Sequence, residues 1–293
     1  MMRISGTTAL VGLFGYPVKH SFSPIIHNTA FSFLGLDYVY VPFCVAPDKL
    51  ALAIKSLCAL GIKGVNITIP HKETVMPFLD EISSEAQLIG AVNTIKVNAQ
   101  HQLIGYNTDG LGFINAILSD LNFTATGKKM LMLGAGGGAR AVSIQSAISG
   151  IERIYIMDIE QHKTLKLCSD IKSSNSKVVV EAIQPQQIKS ILPQVDILVN
   201  ATPIGMQPDD PLLIDPEWLY PGLKVFDLIY NPLETKLVQI AKERGCLAAN
   251  GINMLIQQGA ASFEIWTGIK PPVEIMRQAI LKHLTEANQL RKE

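Results

Sequence analysis

Apolar residues along this 293-residue chain follow two alternating patterns: short continuous runs, and longer stretches with an apolar position every three or four residues. The first pattern marks a buried strand and the second an amphipathic helix. Runs over 9–14, 38–43 and 64–69 predict strands, with helices over 24–34 and 48–60 between them. The first helix opens at Ser23-Pro24, where proline is tolerated because its missing N–H would have no helical partner. Residues 91–97 and 102–106 predict two strands joined by a turn around Asn98, and 111–121 has helical spacing.

From Lys128 a second series begins. Strands are predicted over 130–133, 154–157, 177–183, 196–200 and 223–228, with helical stretches between most of them. This is an α/β succession with a mostly parallel sheet. The last 40 residues carry helical spacing only. A strand-free tail after a complete α/β unit is expected to pack back onto the first domain. The uncharged stretch 245–263 raises the question of a membrane span, but Asn250, Asn253, Gln257 and Gln258 suit lipid poorly. It is expected to be a buried helix.

Composition narrows the function classes. With 48% hydrophobic and 17% charged residues, the chain has ample material for two cores and no disordered character. Twenty-five basic residues balance 25 acidic ones, so nothing draws it to nucleic acid or an anionic membrane. Cys44, Cys58, Cys168 and Cys246 lie far apart, which suits neither zinc nor a disulfide framework. They are expected to be reduced packing residues, with no metal site. The apolar run after Arg3 is soon broken by glycines and a proline, so a secretory leader is not expected and a cytoplasmic location is.

The strongest local signal is Gly134-Ala-Gly136-Gly137-Gly138-Ala139, after an apolar strand and opening a helix. That is the setting the dinucleotide fingerprint requires. Gly134 permits a tight turn, Gly136 lets the backbone approach a pyrophosphate, and Ala139 allows close helix–strand contact. The helix N-terminus then offers N–H groups to the phosphates. Asp158, 24 positions beyond Gly134, stands where a carboxylate accepts from ribose hydroxyls; as an ordinary residue it would cap the next helix.

Three further segments put small hydroxyls, amides or charges at predicted strand ends, the rim where open α/β sheets bind ligands. They are His20-Ser21-Phe-Ser23-Pro24, Asn66-Ile-Thr68-Ile-Pro70-His-Lys72, and Ala91-Val-Asn93-Thr94 with Asn107-Thr-Asp109-Gly110. Taken singly, such residues are usually caps and turns. Taken together, they suit a ligand rich in hydroxyls.

The set resembles the signature of the shikimate dehydrogenase family, in order and over nearly the whole chain. The family's S-x-S-P, N-x-T-x-P-x-K, A-V-N-T and N-T-D-G motifs precede the glycine loop. Asn200-Ala-Thr202-Pro, Tyr230-Asn-Pro, Gly251-Ile-Asn-Met254 and Gln258 follow it. The resemblance implies a substrate domain over 1–109, a Rossmann-like domain over 110–250 and C-terminal helices over 251–293 returning to the first domain. It implies that Ser21 and Ser23 bind a substrate carboxylate and that Thr68, Asn93 and Gln258 hold ring hydroxyls. Tyr230 would lie near the carboxylate, and Lys72 and Asp109 would form the catalytic pair. Gly134, Gly136, Gly137, Gly138, Ala139, Asp158, Thr202 and Gly251 would serve the cofactor.

The activity implied is reversible reduction of 3-dehydroshikimate to shikimate, as a monomer or homodimer. NADP-using relatives carry N-R-T after the second Rossmann strand; here the run is Asp158-Ile159-Glu160, without arginine. NAD is therefore the expected cofactor, with NADP as the alternative. A quinate dehydrogenase is the nearest rival, mildly disfavoured by Ser23. A catalytically silent nucleotide-binding regulator is a rival of another class, opposed by the intact Lys72 and Asp109. A two-domain dehydrogenase of the tetrahydrofolate type is a more distant third.

Overall fold

A computed structural model describes residues 4–175 and 177–290, which divide into two compact units. One unit runs as far as Thr108 and resumes at Ile256; the other is Asp109–Leu255.

The first unit is built on a six-stranded sheet. Its strands are β1 (Ala9–Gly15), β2 (Tyr38–Cys44), β3 (Gly64–Ile67), β4 (Glu81–Ile82), β5 (Thr94–Val97) and β6 (Leu103–Tyr106). Their order in the sheet is β2-β1-β3-β5-β6-β4. β1 pairs in parallel with both β2 and β3, whereas β5 runs antiparallel to β3 and to β6. β1 and β3 lie inside the sheet, which is why they read as nearly unbroken apolar runs. Helices α1 (Ser23–Phe33), α2 (Leu50–Ala59) and α3 (Ser84–Ile89) accompany them. Ile54 and Leu57 of α2 join Phe14, Val65 and Ile95 in one buried cluster. Ser83 caps α3 by accepting from the Ala86 N–H at 3.2 Å, and Gly90 closes it in the left-handed region.

The second unit carries α4 (Asp109–Leu121), β7 (Lys129–Leu133), α5 (Gly137–Ile148), β8 (Arg153–Met157), α6 (Gln161–Ser174), β9 (Val179–Ala182), α7 (Ile188–Ile191), β10 (Ile197–Asn200), β11 (Lys224–Asp227), α8 (Lys236–Glu243) and β12 (Leu247–Ala249). Its six strands are all parallel in the order β12-β11-β10-β7-β8-β9. This is the doubly wound order, with the topological switch between β7 and β10. β7 and β10 are buried on both faces from Met130 to Leu133 and from Ile197 to Asn200.

Helices α9 (Ile252–Thr267) and α10 (Val273–Leu290) close the chain, and α10 packs on α1. The uncharged 245–263 stretch is not one helix: it divides into β12 and the first part of α9. Asp109 and residues 251–255 group with the second unit, because α4 packs on α5 and Gly251 is pressed against the Leu228 carbonyl. Of the four cysteines, all unpaired, Cys168 and Cys246 are packing residues as expected, while Cys44 is exposed. Among the described residues, no helix is long and apolar enough to cross a membrane, and none of the His, Cys, Asp and Glu side chains gather into a metal-binding group.

Candidate functional site

In the first unit the polar motifs converge on the carboxyl ends of β1 and β3 and the neighbouring end of β5. Ser21 precedes α1 and accepts the Ser23 N–H at 3.2 Å, so both serines stand at the mouth of one helix. Thr68 follows β3, where its N–H donates to the Phe14 carbonyl at 2.9 Å. Lys72 is half-buried, and its carbonyl accepts the Val92 N–H at 2.8 Å. That bond sets Lys72 beside Asn93. The neighbouring His71 ring, almost wholly buried, contacts the Val45 carbonyl through Nε2 at 2.7 Å.

Asn93 is buried and held on several sides. Its Oδ1 accepts the Thr108 N–H at 2.8 Å and the Thr94 hydroxyl at 2.9 Å, and its Nδ2 faces Gln258 Oε1 at 3.5 Å. Gln258 lies on α9 in the part that belongs to this unit. Behind Asn93 lies a layer of buried polar groups. The Tyr40 hydroxyl donates to Asn66 Oδ1 at 2.8 Å. Asn66 Nδ2 in turn lies 3.0 Å from Thr94 Oγ1, 2.9 Å from Ser262 Oγ and 3.2 Å from the Asn93 carbonyl. Burial pushes the Tyr40 hydroxyl far above the usual tyrosine range, so it stays protonated; the Ser23 hydroxyl offsets a little of this.

In the second unit the glycine loop leaves β7 at the topological switch. Gly134 has φ +103, a conformation that side chains rarely adopt, and a Cβ there would stand 3.0 Å from the Ala201 carbonyl oxygen. Gly136 and Gly137 are different: nothing lies within 4 Å of where their side chains would stand. The fold's own packing does not demand glycine there, whereas a ligand approaching the backbone would. No side chain caps α5, and Ala139 in its first turn is fully buried against the sheet. The loop therefore fits a dinucleotide pyrophosphate on both geometry and chemistry.

Asp158 follows β8 and ties the loop down. Its two carboxylate oxygens accept the Ala135 N–H at 2.7 Å and the Glu160 N–H at 2.8 Å. It is not the cap of α6, a position held by Glu160 without a side-chain bond. Each oxygen keeps a second lone pair, which is what ribose hydroxyls would use. Lys163 is hydrogen-bonded to Glu160, a contact that raises its pKa.

Thr202 hydrogen-bonds through both its N–H and its hydroxyl to Asn200 Oδ1, at 3.0 and 2.7 Å. Asn200 donates to Asp227 Oδ1 at 3.0 Å, and Thr235 donates to Asp227 Oδ2 at 2.7 Å. Asp227 is wholly buried, and burial raises its pKa against the pull of those donors. Tyr230 lies just beyond this cluster, and burial raises its hydroxyl pKa too. Gly251 has a packing reason of its own, since a Cβ there would stand 2.1 Å from the Leu228 carbonyl oxygen.

Tyr40, Asn66, Thr94, Thr108, Ser262 and Asp227 are not among the site residues expected from the sequence, although Asn66, Thr94 and Thr108 lie inside the motifs.

Two family models match the chain. One is the shikimate dehydrogenase substrate binding domain, over residues 13–95, and the other the shikimate 5'-dehydrogenase C-terminal domain, over 251–281. A protein of Desulforamulus reducens named shikimate dehydrogenase (NADP(+)) is 45% identical over 287 residues, 97% of this chain and 98% of the relative. The crystal structure of shikimate 5-dehydrogenase from Listeria monocytogenes, in complex with shikimate and NAD, is 37% identical with a TM-score of 0.90, covering 96% of this chain and 99% of that one. Quinate dehydrogenase from Corynebacterium glutamicum in complex with NAD is 30% identical with a TM-score of 0.88, covering 94% and 99%. With such identity across nearly its full length, this chain belongs to the shikimate dehydrogenase family.

Proposed function

We propose that this chain catalyses the reversible, nicotinamide-dependent reduction of 3-dehydroshikimate to shikimate, a step toward chorismate and the aromatic amino acids. One observation carries the reading: in a single unit the rim of a mixed sheet holds paired serines, a threonine, an amide pair and a lysine within hydrogen-bonded reach of one backbone frame. That assortment suits a small ring bearing a carboxylate and several hydroxyls. Ser21 and Ser23 would take the carboxylate, with Tyr230 near it, and Thr68, Asn93 and Gln258 the ring oxygens. Residues 134–139 with Asp158, Thr202 and Gly251 would hold the dinucleotide, which when bound would supply or accept the hydride.

Reducing a ketone by hydride leaves an oxyanion that must gain a proton. Lys72 Nζ donates that proton, and in oxidation it takes the hydroxyl proton back, with Asp109 orienting the lysine and sharing the charge. The test is direct: shikimate-dependent formation of reduced dinucleotide, with quinate run in parallel. Turnover of quinate alone would move the assignment to the quinate branch. No turnover of either, with dinucleotide bound, would make the chain a regulator.

The preference between NAD and NADP rests on Asp158. The 2′-phosphate of NADP would bring about two negative charges against that carboxylate. Lys163, one helical turn past Ile159, is engaged by Glu160. Like charges at an interface can cost several kcal/mol, and each ~1.4 kcal/mol is tenfold. We expect kcat/KM to favour NAD by at least about tenfold, although curated relatives are named for NADP(+). Ile159 is 92% exposed, so an arginine there disturbs no core. The double variant Asp158→Asn with Ile159→Arg is expected to shift preference toward NADP and leave the shikimate KM nearly still. Wild-type enzyme working better with NADP would overturn this reading of Asp158 and leave the reaction assignment intact.

A further inference from the structure

Asn200 and Asp227 end β10 and β11 side by side, as register partners in the parallel sheet. Beyond them run two rim loops: 201–207, which carries Thr202, and 228–235, which leads into α8. The Asp227 side chain, wholly buried, is tied to both. Its Oδ1 accepts the Ile229 N–H at 3.1 Å, near the start of the second loop, and Asn200 Nδ2 at 3.0 Å. Its Oδ2 accepts the Thr235 hydroxyl at 2.7 Å, at the far end of that loop. Asn200 extends the tie to the first loop. Its Nδ2 also donates to the Ile204 carbonyl at 3.2 Å, and its Oδ1 accepts the Thr202 N–H and hydroxyl. Each of these hydrogens has a single acceptor in the cluster, so none is contested.

The two loops also pack together: a Cβ at Gly205 would stand 3.4 Å from Ile229 Cδ1 and 3.6 Å from Thr235 Cβ. Both border the glycine loop, since a Cβ at Gly134 would stand 3.2 Å from Thr202 Cγ2, and one at Gly138 3.2 Å from Leu228 Cδ2. Topology says which half of a dinucleotide they would meet. A dinucleotide spans the crevice at the switch between β7 and β10. With the adenosine ribose at Asp158 beyond β8, the nicotinamide half falls on the side of β10 and β11.

We propose that Asp227 is a positioning residue whose carboxylate staples the 201–207 and 228–235 loops at their bases, and so holds the walls around the nicotinamide half of the dinucleotide. This rests on the reading above that residues 134–139 hold the pyrophosphate. A buried carboxylate is tolerated only while its donors stay in place. Burial raises the Asp227 pKa, and the Thr235, Ile229 and Asn200 donors pull it back. A loop released at one end has to be re-ordered when the dinucleotide binds, and that cost appears in the affinity.

The experiment uses the full chain and measures NADH binding by its fluorescence. ADP serves as competitor, because it carries the adenosine and the pyrophosphate but no nicotinamide. Thr235→Val keeps the side-chain shape and cuts the bond to Asp227 Oδ2. It is expected to raise the Kd for NADH roughly threefold to tenfold, as loss of one net hydrogen bond implies. The Ki of ADP should stay nearly unchanged, and Thr235→Ser, which keeps the hydroxyl, should restore NADH affinity. A merely structural role would lower stability without singling out the nicotinamide half. Thr235 also caps α8 by accepting the Val238 N–H at 3.3 Å. Asp227→Asn leaves that cap alone, weakens all three bonds to the carboxylate, and should show the same split between NADH and ADP; it also serves if Thr235→Val fails to fold. Unchanged NADH affinity in the folded variants, or NADH and ADP weakened alike, would overturn the proposal. So would a split seen in Thr235→Val but not in Asp227→Asn, which would trace the effect to the α8 cap. Wild-type protein that binds neither NADH nor ADP would instead sink the reading of the glycine loop, and the proposal with it.

Discussion

Replacing Lys72 by methionine is expected to lower kcat for shikimate oxidation by about 10²–10⁴-fold, the range for losing a positioned acid or base. Methionine keeps most of the stem and removes the proton-carrying group. The backbone should hold its place, because the Lys72 carbonyl is fixed by the Val92 N–H at 2.8 Å and His71 beside it is buried. Thermal stability should therefore barely change. KM for shikimate should move far less than kcat, since the missing interaction develops only as the proton moves. Asp109→Asn should also lower kcat, by disturbing the shared proton. A Lys72→Met enzyme that keeps more than about a tenth of wild-type kcat while KM rises steeply would make Lys72 a binding group acting equally in ground and transition states.

What could be read from the sequence differs between fold and site for a physical reason. β7, β8, β10 and β11 were legible because strands buried on both faces leave continuous apolar runs. β4 and β12 were not: they have two and three residues, lie at sheet edges, and carry no period long enough to detect. α3 was overlooked although Ser83 and Gly90 stand at its ends, because six residues give too little helical spacing to announce it. The glycine loop was legible in detail, since its chemistry is local and its spacing fixed.

The buried layer of the substrate unit is the opposite case. Ser262 meets Asn66 across 196 positions of sequence. Tyr40 lies in the strand expected over 38–43, and Ser262 in the stretch expected to be a buried helix. Periodicity says which face a residue takes, and nothing about where its hydroxyl points. Asn66 was visible as part of a motif at a strand end, yet only the folded pairing turns it inward as a structural amide rather than outward to a ligand.

The second large effect concerns His27, which is neither in a motif nor near the proposed proton transfer. Its imidazole is wholly buried on α1, stacked on Tyr40 at 4.5 Å and tilted against Trp266 at 5.2 Å. Neither ring nitrogen has a hydrogen-bonding partner among the described residues. Burial alone pulls its pKa from 6.5 down to about 3. The folded state thus keeps the ring neutral where the unfolded chain would take a proton. The stabilisation is complete above about pH 6.5 and is lost progressively as pH falls toward 3. Between pH 7 and pH 5 one such proton is worth about 2 kcal/mol. Trp266 lies in the same aromatic cluster, so in a Trp218→Phe background its fluorescence reports unfolding of this unit. Urea titrations in that background should show stability falling by about 2 kcal/mol between pH 7 and pH 5 in excess of the fall in His27→Phe. Phenylalanine fills a similar planar space and cannot titrate, so the variant isolates the proton from the packing. Equal pH dependence in the two proteins would mean that the buried imidazole does not carry this linkage, and that the acid sensitivity of the unit lies elsewhere.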